Sequence, residues 1–260
     1  MVEILVYNHI YFRAGGAFML ELKNVCKTFK KVKAVENISF NVQEGEIVGL
    51  LGENGAGKTT TLRMISTMLK PSSGSIKVND YDVSENPSKV RSQIGILFGG
   101  EVGIYDRLSA RENIEYFGKL YGMDSEEINK RIEELESEFG MEGYMDRRTG
   151  KFSRGMKQKV SIARSIVHSP QVMLFDEPST GLDVSAARII HEFILRCRQN
   201  GKTILLSSHS MNEVEKLCDR IVIIHKGKLV EQGSVNEIKN KYGMNNLEEI
   251  FISLIGGNRN

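Results

Sequence analysis

The hydrophobic pattern of the chain alternates between short apolar runs and segments of helical period. Leu20, Leu22 and Val25 come close to alternating with polar residues, which predicts a half-buried strand. The run from Val172 to Phe175 shows no alternation, as is typical of a strand buried on both faces of a parallel sheet. Further strands of similar length are predicted at 47–51, 203–206 and 221–224.

The strand predicted at 47–51 leads into a glycine-rich loop and an amphipathic helix that we expect to end near Pro71. The loop reads GENGAGKT and fits G-x-x-x-x-G-K-[ST], in the strand–loop–helix context that this motif requires. Backbone N–H groups of such a loop surround a phosphate at the positive end of the helix. Lys58 would reach the β- and γ-phosphates and Thr59 would ligate Mg²⁺, while a glycine turn that binds nothing is the alternative. The motif predicts a nucleoside triphosphatase whose nucleotide contacts are Gly52, Glu53, Asn54, Gly55, Ala56, Gly57, Lys58, Thr59 and Thr60.

Two acidic residues follow Phe175 at the end of a predicted strand. Open α/β sheets bind ligands at the carboxyl ends of their strands, so Asp176 is suited to bind Mg²⁺. Glu177 lies one residue closer to the γ-phosphate, where a base can orient water. His209 follows another predicted strand and is placed to sense the γ-phosphate, although a single histidine is more often structural. Glu177, His209 and Lys58 are the predicted catalytic residues.

Composition and charge argue against several classes of protein. The 35 basic and 33 acidic residues leave a formal net charge of +2, which gives no electrostatic argument for binding nucleic acid. The longest apolar runs are far shorter than the roughly 20 residues that a membrane-spanning helix needs. Glu3 stands where a secretion signal needs positive charge. The three cysteines are widely spaced, which favours reduced thiols over disulfides or a metal site.

The first residues of the chain are set apart from the first predicted strand. The stretch RAGGAF precedes Met19, and two glycine codons can spell a purine-rich GGAGG a few nucleotides upstream of that methionine codon. We therefore expect residues 1–18 to be a translated leader and Met19 to be the natural start. A genuine N-terminal arm is the alternative.

The stretch KFSRGMKQKV, residues 151–160, has the features of a helix start. Ser153 can cap the helix, and Gly155 permits close approach to its backbone. Lys157 and Lys159 oppose the helix macrodipole, which is unfavourable unless a negative partner is present. This arrangement calls for a negative partner, which the resemblance given below assigns to a second copy of the chain.

In sequence order these motifs resemble those of the ATP-binding subunits of ABC transporters. The match covers about residues 20–235: Walker A is GENGAGKT, Walker B is VMLFDE, the D-loop is STGLD and the H-loop is His209, with 151–160 in the place of the Leu-Ser-Gly-Gly-Gln signature. The resemblance implies an α/β fold, namely a P-loop NTPase with a RecA-like parallel sheet core, an antiparallel β-layer and an inserted helical subdomain. It also implies ATP and Mg²⁺ as cofactors, with Thr59 and Asp176 as the magnesium ligands.

Two ATPase domains of this family meet head to tail, and the signature of one closes on the γ-phosphate held by the other. The resemblance therefore implies a dimer with a second copy or a homologous ATPase. It also implies a membrane-spanning permease as partner, at the cytoplasmic face of the cell membrane. Phe29 matches the position whose ring stacks on adenine, a contact worth about 1–3 kcal/mol where measured for nucleic acids, and a core position is its alternative. The residues implied to act in trans are Ser153, Arg154, Gly155, Met156 and Asp183.

Two departures from the family pattern affect the expected site. Arg154 and Met156 stand where the family commonly has Gly and Gln. Gly99 stands near the position of the glutamine that senses Mg²⁺, and Gln93 comes too early to replace it. Glu101, or a backbone carbonyl acting through water, is the expected substitute. The stretches LFGG, YDRLSARENI and RGMKQK are similar to the sodium-extrusion branch of exporter ATPases.

The chain is expected to contain one ATPase domain with two extensions and an insertion. The expected boundaries are 1–18 for the leader, 19–235 for the ABC ATPase domain, about 99–160 for its helical subdomain and 236–260 for the C-terminal extension. Within the subdomain, one helical face is expected to pack onto the core of the domain, and its residues are Ile128, Ile132, Leu135 and Phe139. The resemblance places the permease contact around 99–111. The C-terminal extension adds a short amphipathic helix.

The sequence as a whole predicts the ATP-hydrolysing subunit of an exporter, with sodium ion as the leading cargo by resemblance. A multidrug, antibiotic or lipid exporter is the first alternative. A soluble ABC protein acting on ribosomes or DNA is the second, but such proteins usually carry two cassettes or a long coiled coil. A GTP-binding switch is the third, although the chain contains no Asn-Lys-x-Asp motif.

Overall fold

Residues 18–98 and 103–256 are the part of the chain that the computed structural model describes. Its strands are β1 (Phe18–Phe29), β2 (Val32–Gln43), β3 (Ile47–Leu51), β4 (Ser73–Val78), β5 (Tyr81–Asp82), β6 (Ile94–Leu97), β7 (Val172–Asp176), β8 (Thr203–Ser208), β9 (Arg220–His225) and β10 (Lys228–Ser234). Its helices are α1 (Lys58–Ile65), α2 (Pro87–Gln93), α3 (Ala110–Leu120), α4 (Ser125–Phe139), α5 (Arg154–Ile166), α6 (Val184–Gln199), α7 (Met211–Leu217), α8 (Val235–Tyr242) and α9 (Leu247–Gly256). A single 3₁₀ turn in these ranges spans Thr149–Lys151.

A six-stranded sheet forms the centre of the domain, in the order β10–β9–β3–β8–β7–β6. β3 pairs in parallel with β8 and β9, β7 pairs in parallel with β6 and β8, and β10 is antiparallel to β9. Every residue of β3, β7 and β8 is buried, as the apolar runs predict for strands covered on both faces. Because β3, β7 and β8 run in the same direction, their carboxyl ends lie together at one edge of the sheet.

A second, antiparallel sheet has the order β2–β1–β4–β5. Leu20, Leu22 and Val25 of β1 are buried in a core that also contains Val48 and Leu50 of β3. The spacing of buried residues changes from two to three after Leu22 because the register with β2 shifts there. The predicted α/β fold with a parallel core and an antiparallel layer is confirmed.

The helix after the glycine-rich loop is shorter than its amphipathic pattern predicts. α1 ends at Ile65 instead of near Pro71. Thr67 adopts a left-handed φ of 65°, which an α-helix cannot continue through. The Leu69 N–H then donates to the Arg63 carbonyl (3.0 Å), so the chain closes the helix with a turn. The chain leaves the helix there and reaches β4 eight residues after Ile65.

The helical subdomain packs through the face that its sequence predicts. α3 and α4 both begin with capping boxes, Ser109 with Glu112 and Asp124 with Glu127, which explains where each helix starts. The predicted face of α4 is buried in the same cluster as α6 and β8, and it is formed by Ile128, Ile132, Leu135 and Phe139. This face belongs to the core of the domain, as expected.

The C-terminal helix α9 packs onto the domain itself. Leu247, Ile250 and Phe251 are buried in a third cluster together with Val214 of α7 and Ile221 of β9. The apolar face of the predicted amphipathic helix is therefore buried against α7 and β9. No helix within 18–98 and 103–256 combines the length and the apolar character that crossing a membrane requires.

One aromatic pair joins the end of α3 to the central sheet. The rings of Tyr121 and His168 stack with centroids 3.5 Å apart and an interplanar angle of 13°. His168 Nε2 donates to the Ile94 carbonyl of β6 (3.1 Å), while Nδ1 is buried without a hydrogen-bond partner in the described chain. Burial lowers the pKa of His168 from 6.5 to about 4, so the imidazole stays neutral at pH 7.

A His168→Phe variant is expected to lose part of the pH dependence of stability while keeping the ring stack. The unfolded chain takes up a proton at His168 below about pH 6.5, but the folded chain does so only near pH 4. The free energy of unfolding of the wild type should therefore fall as the pH drops through this window, by about 2–3 kcal/mol from this group. Urea unfolding at pH 7.5 and pH 4.5 measures the change, and equal changes in both proteins would contradict the assignment.

Candidate active site

The phosphate loop between β3 and α1 approaches its neighbours closely at glycine positions. Gly57 has a φ of 110°, and a Cβ atom there would lie 2.7 Å from the Ala34 carbonyl oxygen of β2. A side chain at position 57 would therefore be excluded by both conformation and space. Ala34 also lines the pocket that the loop surrounds. The complete lining is Ala34, Glu53, Asn54, Gly55, Gly57, Lys58, Thr59, Thr60 and Glu177.

The Lys58 ammonium is buried inside this pocket, with 5% of the side chain exposed. Its Nζ donates to the Gly52 carbonyl (2.6 Å) and to the Glu53 carbonyl (3.2 Å). Glu177 Oε1 lies 3.7 Å from the same nitrogen. The arrangement presents a positive charge and the N-terminal N–H groups of α1 to one small space, which suits a phosphate.

Asp176 lies at the carboxyl end of β7 and is 5% exposed. One of its oxygens accepts from Thr59 Oγ1 (2.7 Å), and the other accepts a short hydrogen bond from Ser207 Oγ of β8. A hydroxyl and a carboxylate are the kinds of ligand that Mg²⁺ takes. Within the described ranges, no group of three or more His, Cys, Asp or Glu could hold a metal alone. Thr59 and Asp176 therefore fit a magnesium ion, which commonly has few protein ligands and keeps several waters.

Glu177 has an unusual backbone conformation directly after β7. Its φ is 51°, and its N–H donates to the Ser207 carbonyl (3.0 Å). This left-handed turn leads the chain away from the strand and brings the carboxylate into the phosphate pocket, 3.3 Å from His209 Nδ1. Thr180 Oγ1 donates to the other carboxylate oxygen (3.3 Å). Residues held in such conformations cluster at functional sites, and the strain here accompanies a carboxylate beside a phosphate site.

Phe29 lies at the end of β1, opposite Val32 in the register with β2. Its side chain is 43% exposed, and the Lys27 ammonium lies 5.1 Å from the ring centroid. Phe29 therefore does not belong to the core, which was the alternative to its predicted role. It does not line the phosphate pocket, although Ala34 of the same hairpin does.

The signature segment 151–160 forms the start of α5, as its pattern predicts. Ser153 is the N-cap, and its hydroxyl accepts from the Met156 N–H (3.3 Å). Lys157 is paired with Asp106 at 2.8 Å within the same chain. The expectation that only a second copy could balance these cations is therefore wrong for Lys157. Lys159 is partly shielded from water, and this burial lowers its pKa.

The start of α5 contacts the D-loop and not the phosphate pocket of its own chain. Arg154 Nη2 donates to the Thr180 carbonyl (2.9 Å), and Gln158 Nε2 donates to the Pro178 carbonyl (2.9 Å). Asp183 caps α6 by accepting from the Ala186 N–H (2.8 Å). None of the five residues expected to act in trans lines the phosphate pocket, and these residues are Ser153, Arg154, Gly155, Met156 and Asp183.

Some expectations fall outside the described ranges. Gly99 and Glu101, which concern the sensing of magnesium, are among them. So is the predicted leader 1–18, except for Phe18, which is the first residue of β1.

Three residues near the site were not predicted from the sequence. Ser207 donates to Asp176, Asp106 pairs with Lys157, and Glu213 accepts from Ser179 and Ser208. Ser207 carries a weak signal, since a polar residue near the end of an otherwise apolar strand is unusual. The other two act through contacts between distant parts of the sequence, which no local pattern shows.

Comparison with known proteins agrees with this geometry. The sequence profile of the ABC transporter family matches residues 35–180. The ABC transporter ATP-binding protein NatA of Bacillus subtilis (strain 168) is 50% identical over 224 residues, which are 86% of this chain and 91% of NatA. The linearmycin resistance ATP-binding protein LnrL of the same organism is 35% identical over 235 residues, which are 90% of this chain and 75% of LnrL.

Solved structures show the same fold. An ATP-binding subunit of an ABC transporter superposes with a TM-score of 0.84 at 32% identity, covering 91% of this chain and 99% of that one. A dimeric post-hydrolysis state of the ATP-binding cassette MJ0796, bound to ADP and Pi, superposes with a TM-score of 0.76 at 28% identity, covering 84% of this chain and 99% of that one. With this fold, these motifs and these relatives, the chain belongs to the ABC transporter family and is an ATP-binding subunit with ATPase activity.

Proposed function

We propose that this chain hydrolyses ATP between two head-to-tail copies and thereby drives a membrane-spanning permease. The observation that carries the proposal is the close approach of the Lys58, Glu177 and His209 side chains beside the phosphate pocket. Glu177 Oε1 lies 3.7 Å from Lys58 Nζ and 3.3 Å from His209 Nδ1. A cation that can bind phosphate, a carboxylate that can orient water and an imidazole thus lie together, at the start of α1 and beside the carboxyl ends of β7 and β8.

In this proposal the loop 52–60 binds the phosphates of ATP through its N–H groups and through Lys58. Thr59 and Asp176 hold Mg²⁺, which when bound offsets negative charge on the phosphate oxygens. Glu177 orients the attacking water and accepts its proton, and His209 lies beside the γ-phosphate and keeps the carboxylate of Glu177 in place. The exposed ring of Phe29 stacks on adenine.

The second half of each site comes from the other copy. Ser153, Arg154, Gly155 and Met156 at the start of α5 contact the γ-phosphate bound by the partner, and Asp183 lies at the same interface. The start of a helix offers N–H groups and a positive dipole to an anion. None of these residues lines the phosphate pocket of its own chain, which supports this division between two copies. The dimeric MJ0796 cassette provides a precedent for pairing.

The permease partner places the chain at the cytoplasmic face of the cell membrane. Export of sodium ion is the leading cargo proposal, supported by the similarity of LFGG, YDRLSARENI and RGMKQK to the sodium-extrusion branch. Export of an antibiotic is the second candidate, and the identity to LnrL favours it. Ion and drug flux in vesicles containing this chain and its permease distinguishes the two, because only the true cargo should move when ATP is added.

Activity is expected to return when a Gly155→Asp protein is mixed with a Lys58→Ala protein. A Cβ atom at Gly155 would meet only Ala186, at 3.4 Å, so the single chain should tolerate the change and still bind ATP. The added carboxylate would repel the partner's γ-phosphate, and losing one comparable stabilising donor elsewhere costs about 10²–10³ in kcat. A mixed head-to-tail dimer has one site with both defects and one site with neither, so ATPase assays of the mixture should show recovery.

Gly143→Asp is the matched control, because a Cβ atom there meets nothing within 4 Å. It should keep wild-type turnover. If mixed dimers form but stay inactive, or if Gly155→Asp alone abolishes ATP binding to the monomer, the division of the site between two copies is refuted.

A further inference from the structure

A buried carboxylate lies next to the proposed active site but outside its pocket. Glu213 on α7 is 6% exposed and accepts three side-chain hydrogen bonds. His191 Nε2 of α6 (2.9 Å) and, through a short bond, Ser179 Oγ both donate to Oε1. Ser208 Oγ, at the end of β8, donates to Oε2 (2.6 Å). One carboxylate therefore joins three parts of the chain that are distant in sequence.

These hydrogen bonds keep the group ionised. Burial raises the pKa of Glu213, but the hydrogen bonds from His191, Ser179 and Ser208 outweigh burial and hold the pKa below its ordinary value. A buried carboxylate with fewer donors would be strongly unfavourable. Such fully paired polar groups fix the relative positions of the segments that supply the donors.

Two of the three donors adjoin residues with a proposed catalytic role. Ser179 lies two positions after Glu177, and its neighbour Thr180 donates directly to the Glu177 carboxylate (3.3 Å). Ser208 precedes His209, and its hydroxyl also accepts from the Ser210 N–H (3.0 Å), which closes the turn around His209. The side chain of His209 is itself 55% exposed, so the packing around it is loose and its backbone turn determines where it lies.

We propose that Glu213 is a positioning residue for ATP hydrolysis, which holds the D-loop through Ser179 and the turn of His209 through Ser208. The two tethers keep the Glu177 carboxylate and the His209 imidazole beside each other. The proposal rests on the roles given above to Glu177 and His209. It assigns Glu213 no contact with nucleotide, and Glu213 does not line the phosphate pocket.

The consequence is a separation between ATP binding and turnover. Lys58, Thr59 and the loop that binds phosphate make no hydrogen bond to Glu213, so the loss of Glu213 should leave ATP affinity within about twofold of the wild type. Misalignment of Glu177 and His209 should lower kcat about tenfold. This is the rate effect expected when the transition state loses one hydrogen bond to a charged group. A role in folding alone would lower the melting temperature and leave the kcat of the folded fraction unchanged.

The test compares Glu213→Ala, Glu213→Gln and Ser179→Ala, with Glu215→Gln as the matched control on the same helix. Glu215 pairs with Lys239 (2.9 Å) and faces away from this network. The measurements are kcat, KM, ATP affinity by titration and melting temperature. Glu213→Ala should lose about tenfold in kcat, and Glu213→Gln should recover most of it, because an amide can still accept from Ser179 and His191 and donate to Ser208.

Ser179→Ala should lower kcat without changing ATP affinity, and the double variant with Glu213→Ala should be no slower than Glu213→Ala alone. Wild-type kcat in folded Glu213→Ala, or equal additive losses in the double variant, would overturn the proposal. If Glu213→Ala does not fold, wild-type kcat in Ser179→Ala overturns it instead. A Glu177→Gln protein with normal turnover would refute the proposed mechanism itself, which separates the two failures.

Discussion

Lys58→Ala is expected to weaken ATP binding by about 100-fold or more, because the β- and γ-phosphates lose a cation that hydrogen-bonds to both. The Lys58 ammonium is buried and already points into the phosphate pocket, where it donates to the Gly52 and Glu53 carbonyls. Phosphate oxygens would give the charge a partner that backbone carbonyls cannot match. Titration of the isolated protein with a fluorescent ATP analogue measures the loss.

Lys202→Ala is the matched control for this change. Lys202 also donates from Nζ to a backbone carbonyl, that of Ser169 (3.1 Å), but it lies outside the pocket. Its removal should leave ATP affinity unchanged. Unchanged affinity in Lys58→Ala itself would contradict the assignment of residues 52–59 as the phosphate loop.

The sequence predicted the centre of this site because its parts follow local rules. A G-x-x-x-x-G-K-[ST] loop between a strand and a helix typically binds phosphate. Two acidic residues that directly follow a buried parallel strand lie at the edge of the sheet where ligands bind. Lys58, Asp176, Glu177 and His209 are found at that edge, around one space. The order of strands in the sheet brings them together, and no single segment of the sequence predicts that order.

Features that depend on long-range pairing could not be predicted. Lys157 and its partner Asp106 are separated by 51 residues, and Glu213 and Ser179 by 34. Nothing in the local sequence around these residues indicates either contact. A glutamate on a short helix is usually exposed, so the sequence does not predict that Glu213 is buried. The early end of α1 has a similar cause, because the left-handed turn at Thr67 follows from the path to β4 and not from helix propensity.

Glu177→Gln is expected to bind ATP, to hydrolyse it about 10²–10⁴-fold more slowly, and to accumulate as a dimer with ATP on a sizing column. An amide has nearly the shape of the carboxylate, and glutamine tolerates the backbone φ of 51° about as well as glutamate does. It cannot take a proton from water, so the step that Glu177 is proposed to assist is lost. Removing the negative charge also removes repulsion with the γ-phosphate, so the closed dimer should last longer.

Glu177→Gln tests proton transfer separately from ATP binding, because the other contacts of the pocket are unchanged. The Lys58 ammonium stays bonded to two carbonyls, and Thr59 and Asp176 keep their 2.7 Å contact. Glu138→Gln is the control, since Glu138 is exposed to a similar extent (24% against 22%) and is also paired with a cation, Arg196. That control should keep wild-type turnover and show no ATP-dependent dimer beyond the wild type. Turnover of Glu177→Gln within a factor of a few of the wild type would show that another group accepts the proton, and the pairing of Glu177 with His209 would then need a different explanation.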